Sequence, residues 1–400
     1  MRKVLAAAGV AGQVLAFAPV AAADLDPSGI NMRIGAVGQH KTAVVLVNFE
    51  DDQRQPFTAE QVDAAMFTAP NSVSSYFNEV SFGKLVLTGE YNPSGDVYDW
   101  VRLPASLDHP CKDGPQAQIA QAANVAAEQA TGRSLQGYAN YVYMLPRRTD
   151  CINENDGSIV NGSTQGNVTV MNSRDTDPSL SEGIDVHEIS HQFGLSHANL
   201  MVCRNAKNKR IVTPLDLSGK CHDYVYQDPY DPMGSARLAA GLPIDFDSLN
   251  KARLGWESPQ NIKVVSKNAT VNIVPDEVAS QGTQLVEIPF AGSAANGPSI
   301  YLDYRQPIGA DSNVSPTSLL FKGVTIRVSD PIGFNRPVTL DDFSHLIDTH
   351  PQTPSALDAP LKVGKAFFDK STGIKIQDLG ISPEGAKVKI SFAKNKTQRH

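Results

Sequence analysis

The eleven-residue segment from His187 to His197 constrains the fold and chemistry of this chain more than any other feature. It reads H-E-I-S-H-Q-F-G-L-S-H and fits the pattern H-E-x-x-H-x-x-G-x-x-H. Residues four apart on an α-helix share a face, so a helix here would let His187 and His191 bind one ion together. Gly194 can adopt the positive φ that ends a helix, and the resulting turn would return His197 as a third ligand.

The residues around the histidines have the pattern of an amphipathic helix. Val186, Ile189 and Phe193 form an apolar stripe roughly opposite the histidines. This stripe predicts that one face of the helix packs on the core while the other faces a cleft. Ser179 and Glu182 have the S-x-x-E spacing of a capping box, which predicts the start of the helix.

The ligand set predicts catalytic zinc. Three neutral imidazoles suit Zn²⁺, and three protein ligands leave a coordination position open, as in catalytic rather than structural sites. The open position would hold water, whose pKa zinc lowers from about 15.7 towards 7. Glu188 adjoins His187 and is predicted to act as general base towards this water, then as proton donor to the leaving amine. The predicted reaction is hydrolysis of internal peptide bonds without a covalent intermediate.

The first 23 residues have the plan of a secretory signal peptide. Arg2 and Lys3 precede an apolar run over residues 4–20, and the small residues Ala21 to Ala23 follow it. The run is short for a membrane anchor. We therefore expect cleavage, no membrane insertion afterwards, and a secreted protein that is extracellular or periplasmic.

The cysteines fit export as well. Cys111, Cys151, Cys203 and Cys221 are an even set, which in an oxidising compartment suggests two disulfides with three possible pairings. Sequence proximity favours Cys111–Cys151 and Cys203–Cys221. A cysteine-rich metal site is disfavoured because no pair has C-x-x-C spacing.

The pattern of predicted strands and helices changes once along the chain. Residues 24–41 are a short flexible leader, and residues 42–258 alternate strand and helix patterns, which predicts an α/β (α+β) domain with a twisted, mostly parallel sheet and an active-site helix. Residues 259–397 contain short alternating runs between turns, typical of an all-β sandwich-like domain. The predicted elements before residue 259 are strands at 42–49, 84–89, 139–145 and 167–172 and helices starting at Thr58 and spanning 71–80, 115–131 and 246–254; those after it are the runs IKVVS, TVNIV, QLVEIP, SIYLDY, GVTIRVS, GIKIQDL and AKVKISF.

The charge balance argues against a nucleic-acid partner. Net charge is −7, and the only basic run is the short segment from Lys207 to Arg210. A protein that binds a nucleic-acid duplex usually shows a basic patch or stripe. We expect protein or peptide substrates, no nucleic acid, and a monomer.

A calcium site is conceivable but unsupported. The acidic pairs Asp175/Asp177 and Asp341/Asp342 could bind Ca²⁺, although no complete oxygen-ligand loop is visible. We favour the interpretation that both pairs lie in solvated turns.

The long histidine motif resembles that of the metzincin clan of zinc peptidases. That clan has a Met-containing turn beneath the metal ligands, and the segment Y-D-P-M-G from Tyr230 to Gly234 resembles it. The resemblance implies that Met233 forms a hydrophobic floor under the metal. Some metzincins carry a tyrosine two residues after the methionine, where this chain has Ser235. Tyr230 is therefore our candidate for the oxyanion or substrate contact, with Tyr226 as the alternative.

More narrowly, the chain resembles the gametolysin-like peptidases. This resemblance covers most of residues 42–258 and implies a metzincin-like catalytic domain. It also implies an endopeptidase that acts on extracellular or cell-wall proteins. The matching stretches are residues 72–85, 197–200, 226–234 and 254–256, with a weaker echo at 301–305.

Two other functions stay open at the level of sequence. A zinc amidase that cuts cell-wall crosslinks would use the same chemistry on another substrate. An adhesin-like binding protein would use the sandwich and keep a vestigial metal site. The intact Glu188 argues against the adhesin, because a purely structural site does not need that carboxylate.

Overall fold

A computed structural model of the chain describes residues 36–105, 116–149, 151, 162–173, 183–212, 221–235, 243–290, 298–329 and 343–393. Within these ranges the fold is mixed α/β, with three sheets and few helices. This is consistent with an α+β fold that has sandwich-like parts. The predicted signal peptide, residues 1–23, lies outside the described residues.

The first sheet has six strands in the order β2–β1–β4–β6–β5, and β3 also pairs with β1. Every pairing is parallel apart from that of β5 with β6, which confirms the predicted mostly parallel sheet. The central strand β1 is apolar on both faces because both faces are covered. The strands are β1 (Gly38–Phe49), β2 (Leu85–Thr88), β3 (Asp96–Leu103), β4 (Asn140–Leu145), β5 (Gly162–Gln165) and β6 (Val168–Asn172).

The strand β1 begins inside the predicted leader. Its first residues pair with β2, with Gly38 opposite Leu85 and Lys41 opposite Thr88. The expectation of a flexible leader up to residue 41 is therefore wrong for its last residues. Backbone pairing orders a segment that has no apolar pattern of its own.

The helices lie on both faces of this sheet. Val44 and Leu46 of β1 pack in one apolar cluster with residues of α2 and α4, whereas Val45 and Val47 pack in another with residues of α3. This alternation follows from the period of two along a strand. The helices are α1 (Ala59–Asp63), α2 (Val73–Val80), α3 (Gln116–Thr131), α4 (Ile184–Gln192) and α5 (Ser248–Arg253), with a π-helical segment at Ala64–Thr68 and 3-10 turns at Pro259–Asn261, Gly309–Asn313, Leu319–Lys322 and Ala356–Asp358.

Several helix ends follow local sequence rules. Thr58 and Gln61 form the predicted reciprocal capping box at the start of α1. Asp247 caps α5 by accepting a hydrogen bond from the Asn250 N–H. Among the described residues, no helix combines the length and apolarity that crossing a membrane requires.

The second sheet has nine strands and crosses the predicted domain boundary. Its order is β10–β12–β13–β14–β15–β7–β8, with β16 on β14 and β9 on β7. Strand β7 follows the third histidine directly and pairs in parallel with β15, with Ala198 opposite Ser344. The boundary at residues 258–259 stays a prediction. The strands are β7 (Ala198–Arg204), β8 (Arg210–Ile211), β9 (Cys221–Tyr224), β10 (Ile262–Val264), β12 (Leu285–Pro289), β13 (Ser299–Tyr304), β14 (Gly323–Ser329), β15 (Ser344–Ile347) and β16 (Leu361–Lys362).

The third sheet is antiparallel, in the order β11–β19–β18–β17, and covers one face of the second. Ile300 and Leu302 of β13 share an apolar cluster with Ile376 and Val388 of this sheet. Each of the seven predicted C-terminal runs contains a strand, and the packing of these two sheets is consistent with sandwich-like parts. The strands are β11 (Ala269–Ile273), β17 (Ala366–Asp369), β18 (Ile374–Ser382) and β19 (Gly385–Phe392).

Candidate metal centre

The three motif histidines come together as the spacing predicts. Helix α4 carries His187 and His191 one turn apart and ends at Gln192. Gly194 has φ +90°, so the chain reverses there and brings His197 back. The ligand nitrogens of the three histidines all lie within 4.8 Å of one another.

The packed face of α4 is also the predicted one. Val186, Ile189 and Phe193 are buried in the apolar cluster beneath the six-stranded sheet. The start of the helix differs from the prediction, because Gly183, in the left-handed region with φ 67°, is its N-cap. The predicted capping residues, Ser179 and Glu182, lie outside the described residues.

The hydrogen bonds of two histidines define which nitrogen faces the site. The Nδ1 of His187 lies 2.8 Å from the Pro232 carbonyl oxygen, and the Nδ1 of His191 lies 2.7 Å from the Leu195 carbonyl oxygen. A carbonyl oxygen only accepts, so in each neutral ring the proton is on Nδ1. The Nε2 atoms therefore carry bare lone pairs.

These two lone pairs face each other. The Nε2 atoms of His187 and His191 are 3.1 Å apart, although neither can donate to the other. Two nitrogens bound tetrahedrally to one zinc ion at about 2.0 Å lie roughly 3.3 Å apart. The donor set and its spacing therefore fit a shared cation such as Zn²⁺.

Burial favours the neutral form of the three histidines. It lowers the pKa of His187 and that of His197 to about 3, with a further contribution from neighbouring imidazoles. Burial also lowers the pKa of His191. Neutral imidazole is the form that binds a metal ion.

Glu188 lies beside the histidines and is held by strand β5. Its Oε2 accepts a hydrogen bond from the Thr164 hydroxyl at 2.8 Å, and the same hydroxyl lies 2.9 Å from the Glu188 carbonyl oxygen. The side chain is buried. Burial raises the pKa of Glu188 to about 7, and the Thr164 hydrogen bond opposes this shift.

Gly162 packs directly against that carboxylate. A Cβ at Gly162 would lie 2.6 Å from Glu188 Cγ and 2.9 Å from Oε1. Gly162 and Thr164 are two residues apart on β5, so both point towards Glu188. Sequence reasoning missed both residues, because the segment G-S-T-Q has no apolar pattern that would reveal a strand.

The predicted Met turn is buried close to His197. Met233 has no exposed surface and lies in the same apolar cluster as Ile189 and Phe246. Its carbonyl oxygen accepts the backbone N–H of Ala198, the residue after His197, at 2.9 Å. A backbone hydrogen bond thus joins the turn to the residue after His197.

The two candidate tyrosines occupy different places. Tyr230 has no exposed surface and donates its hydroxyl proton to the Leu357 carbonyl at 2.5 Å, which corrects its assignment to the substrate contact. Tyr226 is 45% exposed, and its ring centroid lies 3.9 Å from that of His197. Its backbone has φ 62° and donates to Asn199 Oδ1 at 3.1 Å. A tyrosine rarely adopts this conformation without such support.

One predicted disulfide is confirmed, between Cys203 and Cys221. These residues lie opposite each other on β7 and β9. Cys151 is also disulfide-bonded, but its predicted partner Cys111 lies outside the described residues. Both acidic pairs considered for calcium, Asp175/Asp177 and Asp341/Asp342, lie outside them too.

Comparisons with known proteins add little. No known family model matches the sequence, and no curated protein matches it. Wild-type OgpA from Akkermansia muciniphila is similar in structure at 13% identity and a TM-score of 0.34, over 88% of this chain and 92% of that chain. Catalytically inactive OgpA in complex with an O-glycopeptide (glycodrosocin) substrate has 10% identity and a TM-score of 0.32, over 79% of this chain and 95% of that chain. Such low similarity carries no conclusion about function.

Proposed function

We propose that this protein is a secreted zinc metalloendopeptidase of the metzincin type, closest to the gametolysin-like family. It would hydrolyse internal peptide bonds of extracellular or cell-wall proteins. The observation that carries the proposal is the pair of bare Nε2 lone pairs of His187 and His191, 3.1 Å apart. Without a cation between them, this arrangement would be repulsive.

The metal ligands are His187, His191 and His197. A bound zinc ion supplies Lewis-acid polarisation of the scissile carbonyl and lowers the pKa of water. The Pro232 and Leu195 carbonyls keep two of the rings in one tautomer and one orientation.

Glu188 is the proton carrier of the proposed reaction. Its carboxylate takes a proton from the attacking water and delivers it to the leaving amine. Thr164 fixes one carboxylate oxygen, and Gly162 leaves room for the other. Both contacts hold the base in one rotamer, which matters because proton transfer requires hydrogen-bond distance.

Tyr226 forms one wall of the proposed cleft. Its ring covers His197 while nearly half of its surface is exposed, so a bound peptide would contact it. It replaces Tyr230 as our candidate for the substrate contact.

Export is supported by two features of different kinds. The first 23 residues have the plan of a signal peptide. The Cys203–Cys221 disulfide would persist in an oxidising compartment.

The decisive experiment compares casein hydrolysis by the mature chain and by Glu188→Gln, with zinc content measured for both. We expect the variant to retain zinc and to lose about 10²–10⁴-fold in kcat, the usual contribution of a general base. Glu384→Gln, an exposed glutamate on the β18–β19 hairpin, is the matched control and should keep wild-type activity.

Other outcomes point to the two rival functions. Zinc binding without casein hydrolysis in the wild type would reject a general endopeptidase and favour the cell-wall amidase, which a crosslinked peptidoglycan substrate would then detect. Failure of the wild type to bind zinc would reject the enzyme and favour the adhesin.

A further inference from the structure

The loop that orients His187 is held from the C-terminal half of the chain. The Pro232 carbonyl, which accepts the His187 Nδ1–H, lies in the loop Asp228–Met233. Two arginines that follow much later in the sequence, Arg305 and Arg327, bond to this loop. Both guanidinium groups are fully buried.

Arg305 joins three segments through one guanidinium. Its Nη1 donates to the Tyr230 carbonyl at 2.6 Å, and its Nη2 donates to the Asp245 carbonyl at 2.7 Å. Its Nε and Nη2 also bond to the two carboxylate oxygens of Asp311, at 2.7 and 2.6 Å. The loop is thereby tied both to the segment before α5 and to a turn after β13.

Arg327 holds the other end of the loop. Its Nη2 donates to Asp228 Oδ2 at 3.1 Å, while its Nη1 donates to Asp303 on the neighbouring strand at 2.9 Å. Its Nε lies 2.9 Å from Asp247 Oδ2. The backbone N–H of Asp247 in turn donates to Asp231 Oδ2 at 2.8 Å, so this arm reaches the middle of the loop.

The two loop carboxylates connect these outer contacts to the loop backbone. Asp228 accepts the Tyr230 N–H at 2.8 Å with the oxygen that Arg327 does not use. Asp231 accepts the Met233 N–H at 2.7 Å in the same way. Each carboxylate therefore accepts a hydrogen bond from the loop backbone with one oxygen and from a residue outside the loop with the other.

We propose that Arg305 and Arg327 are positioning residues of the three-histidine site. They hold the loop Asp228–Met233 in the position from which the Pro232 carbonyl accepts the His187 Nδ1–H and so fixes the orientation of the ring. This rests on the proposed function, since it assumes that the histidines bind a metal. A ligand imidazole keeps its orientation only when its second nitrogen is held. The rigid fork of guanidinium donors can bond several acceptors in a fixed geometry. The nine-stranded sheet, which carries Arg327 on β14, is then part of the metal-binding unit.

The test uses the full mature chain with Arg305→Lys. Lysine keeps the charge but cannot bond the Tyr230 and Asp245 carbonyls and the Asp311 carboxylate in one fixed plane. Zinc affinity is measured by competition with a chromophoric chelator, and coordination is followed by the visible absorption of the Co²⁺-substituted protein. We expect roughly 10–100-fold weaker zinc binding, as for loss of an outer-shell partner of a metal ligand, and displaced Co²⁺ bands.

A control separates positioning from general stability. Ile376→Ala opens a cavity in the core between the two C-terminal sheets and should lower Tm while leaving zinc affinity and the Co²⁺ spectrum unchanged. A folded Arg305→Lys with lowered Tm but wild-type zinc affinity and spectrum would overturn the proposal.

A second variant covers the case in which Arg305→Lys does not fold. Asp228→Asn keeps the shape and the acceptor for Tyr230 but removes the charge that faces Arg327. Weaker zinc binding by this variant supports the proposal, and wild-type affinity overturns it. A wild-type protein that binds neither Zn²⁺ nor Co²⁺ would overturn the proposed function itself.

Discussion

The candidate site lies between two regions that are stabilised in different ways. On one side, α4 packs on the six-stranded sheet through apolar contacts, with Ile189 and Phe193 buried among aliphatic and aromatic neighbours. On the other side, the loop Asp228–Met233 meets the nine-stranded sheet through buried ion pairs. Arg327 alone lies within 3.1 Å of Asp228, Asp247 and Asp303.

The two kinds of contact have different roles at the site. Apolar packing does not depend strongly on direction. It therefore suits the helix, whose own backbone already places two histidines one turn apart. Charged hydrogen bonds are directional, so they suit a loop that has no regular backbone pattern to fix the Pro232 carbonyl. The polar side is also the more fragile one, because removal of a single partner leaves a buried charge uncompensated.

The largest effect on stability should come from Asp247→Ala. This carboxylate caps α5, accepts the Ser344 hydroxyl at 2.8 Å and lies 2.9 Å from Arg327 Nε. Its removal leaves a buried guanidinium short of one partner. We expect the free energy of unfolding to fall by about 3–5 kcal/mol in urea denaturation.

The comparison for Asp247 is an exposed ion pair. Glu90 pairs with Lys41, and both side chains are about half exposed. Glu90→Ala should cost at most about 1 kcal/mol. Equal losses for the two variants would mean that the polar side of the site is no more sensitive than the surface.

The next effect is a loss of catalytic activity caused by a substitution on the α4 side of the site. In Gly162→Ala the new methyl group would lie only 2.6 Å from Glu188 Cγ. This is closer than two carbon atoms can approach, so the Glu188 side chain must move. We expect kcat on casein to fall by about 10–100-fold, because a displacement of about 1 Å is enough for such a loss. Zinc content should stay unchanged.

Ser163→Ala is the matched control for Gly162→Ala. It changes the same edge strand and removes a hydrogen bond with Gln116, but it adds no atom near Glu188. It should retain most of the activity. If both variants lose activity equally, β5 as a whole, rather than the space at Gly162, positions the base.

The sequence predicted the apolar side of the site better than the polar side. The histidines, Gly194 and the buried face of α4 follow from spacing within one short segment, and spacing on a helix translates directly into position. The capping box at Thr58 and the seven C-terminal strand runs are local patterns of the same kind.

The missed features depend on contacts between distant residues. Thr164 and Gly162 are recognisable only once β5 is known to lie beside α4. Arg305 and Arg327 contact a loop more than seventy residues earlier in the chain, which no local pattern reveals. The position of Tyr230 near Met233 suggests a substrate contact, but its side chain points into the protein towards Leu357.

The last effect depends on pH and comes from Glu257→Gln, which tests whether a buried carboxyl close to Asp245 and Asp303 changes protonation on unfolding. Glu257 is 3% exposed, and burial raises its pKa to about 8, with Lys251 opposing the shift. A carboxyl with a raised folded-state pKa contributes stability as the neutral acid below its ordinary pKa of about 4.3, and this contribution is lost as pH rises towards 8. The free energy of unfolding of the wild type should therefore fall relative to the variant by up to about 1.4 kcal/mol per pH unit in this window. Urea denaturation at pH 5, 6.5 and 8 measures the difference, with the exposed Glu384→Gln as control. Parallel pH curves for wild type and Glu257→Gln would show that Glu257 does not change protonation on unfolding in this window, and the predicted pH dependence would be wrong.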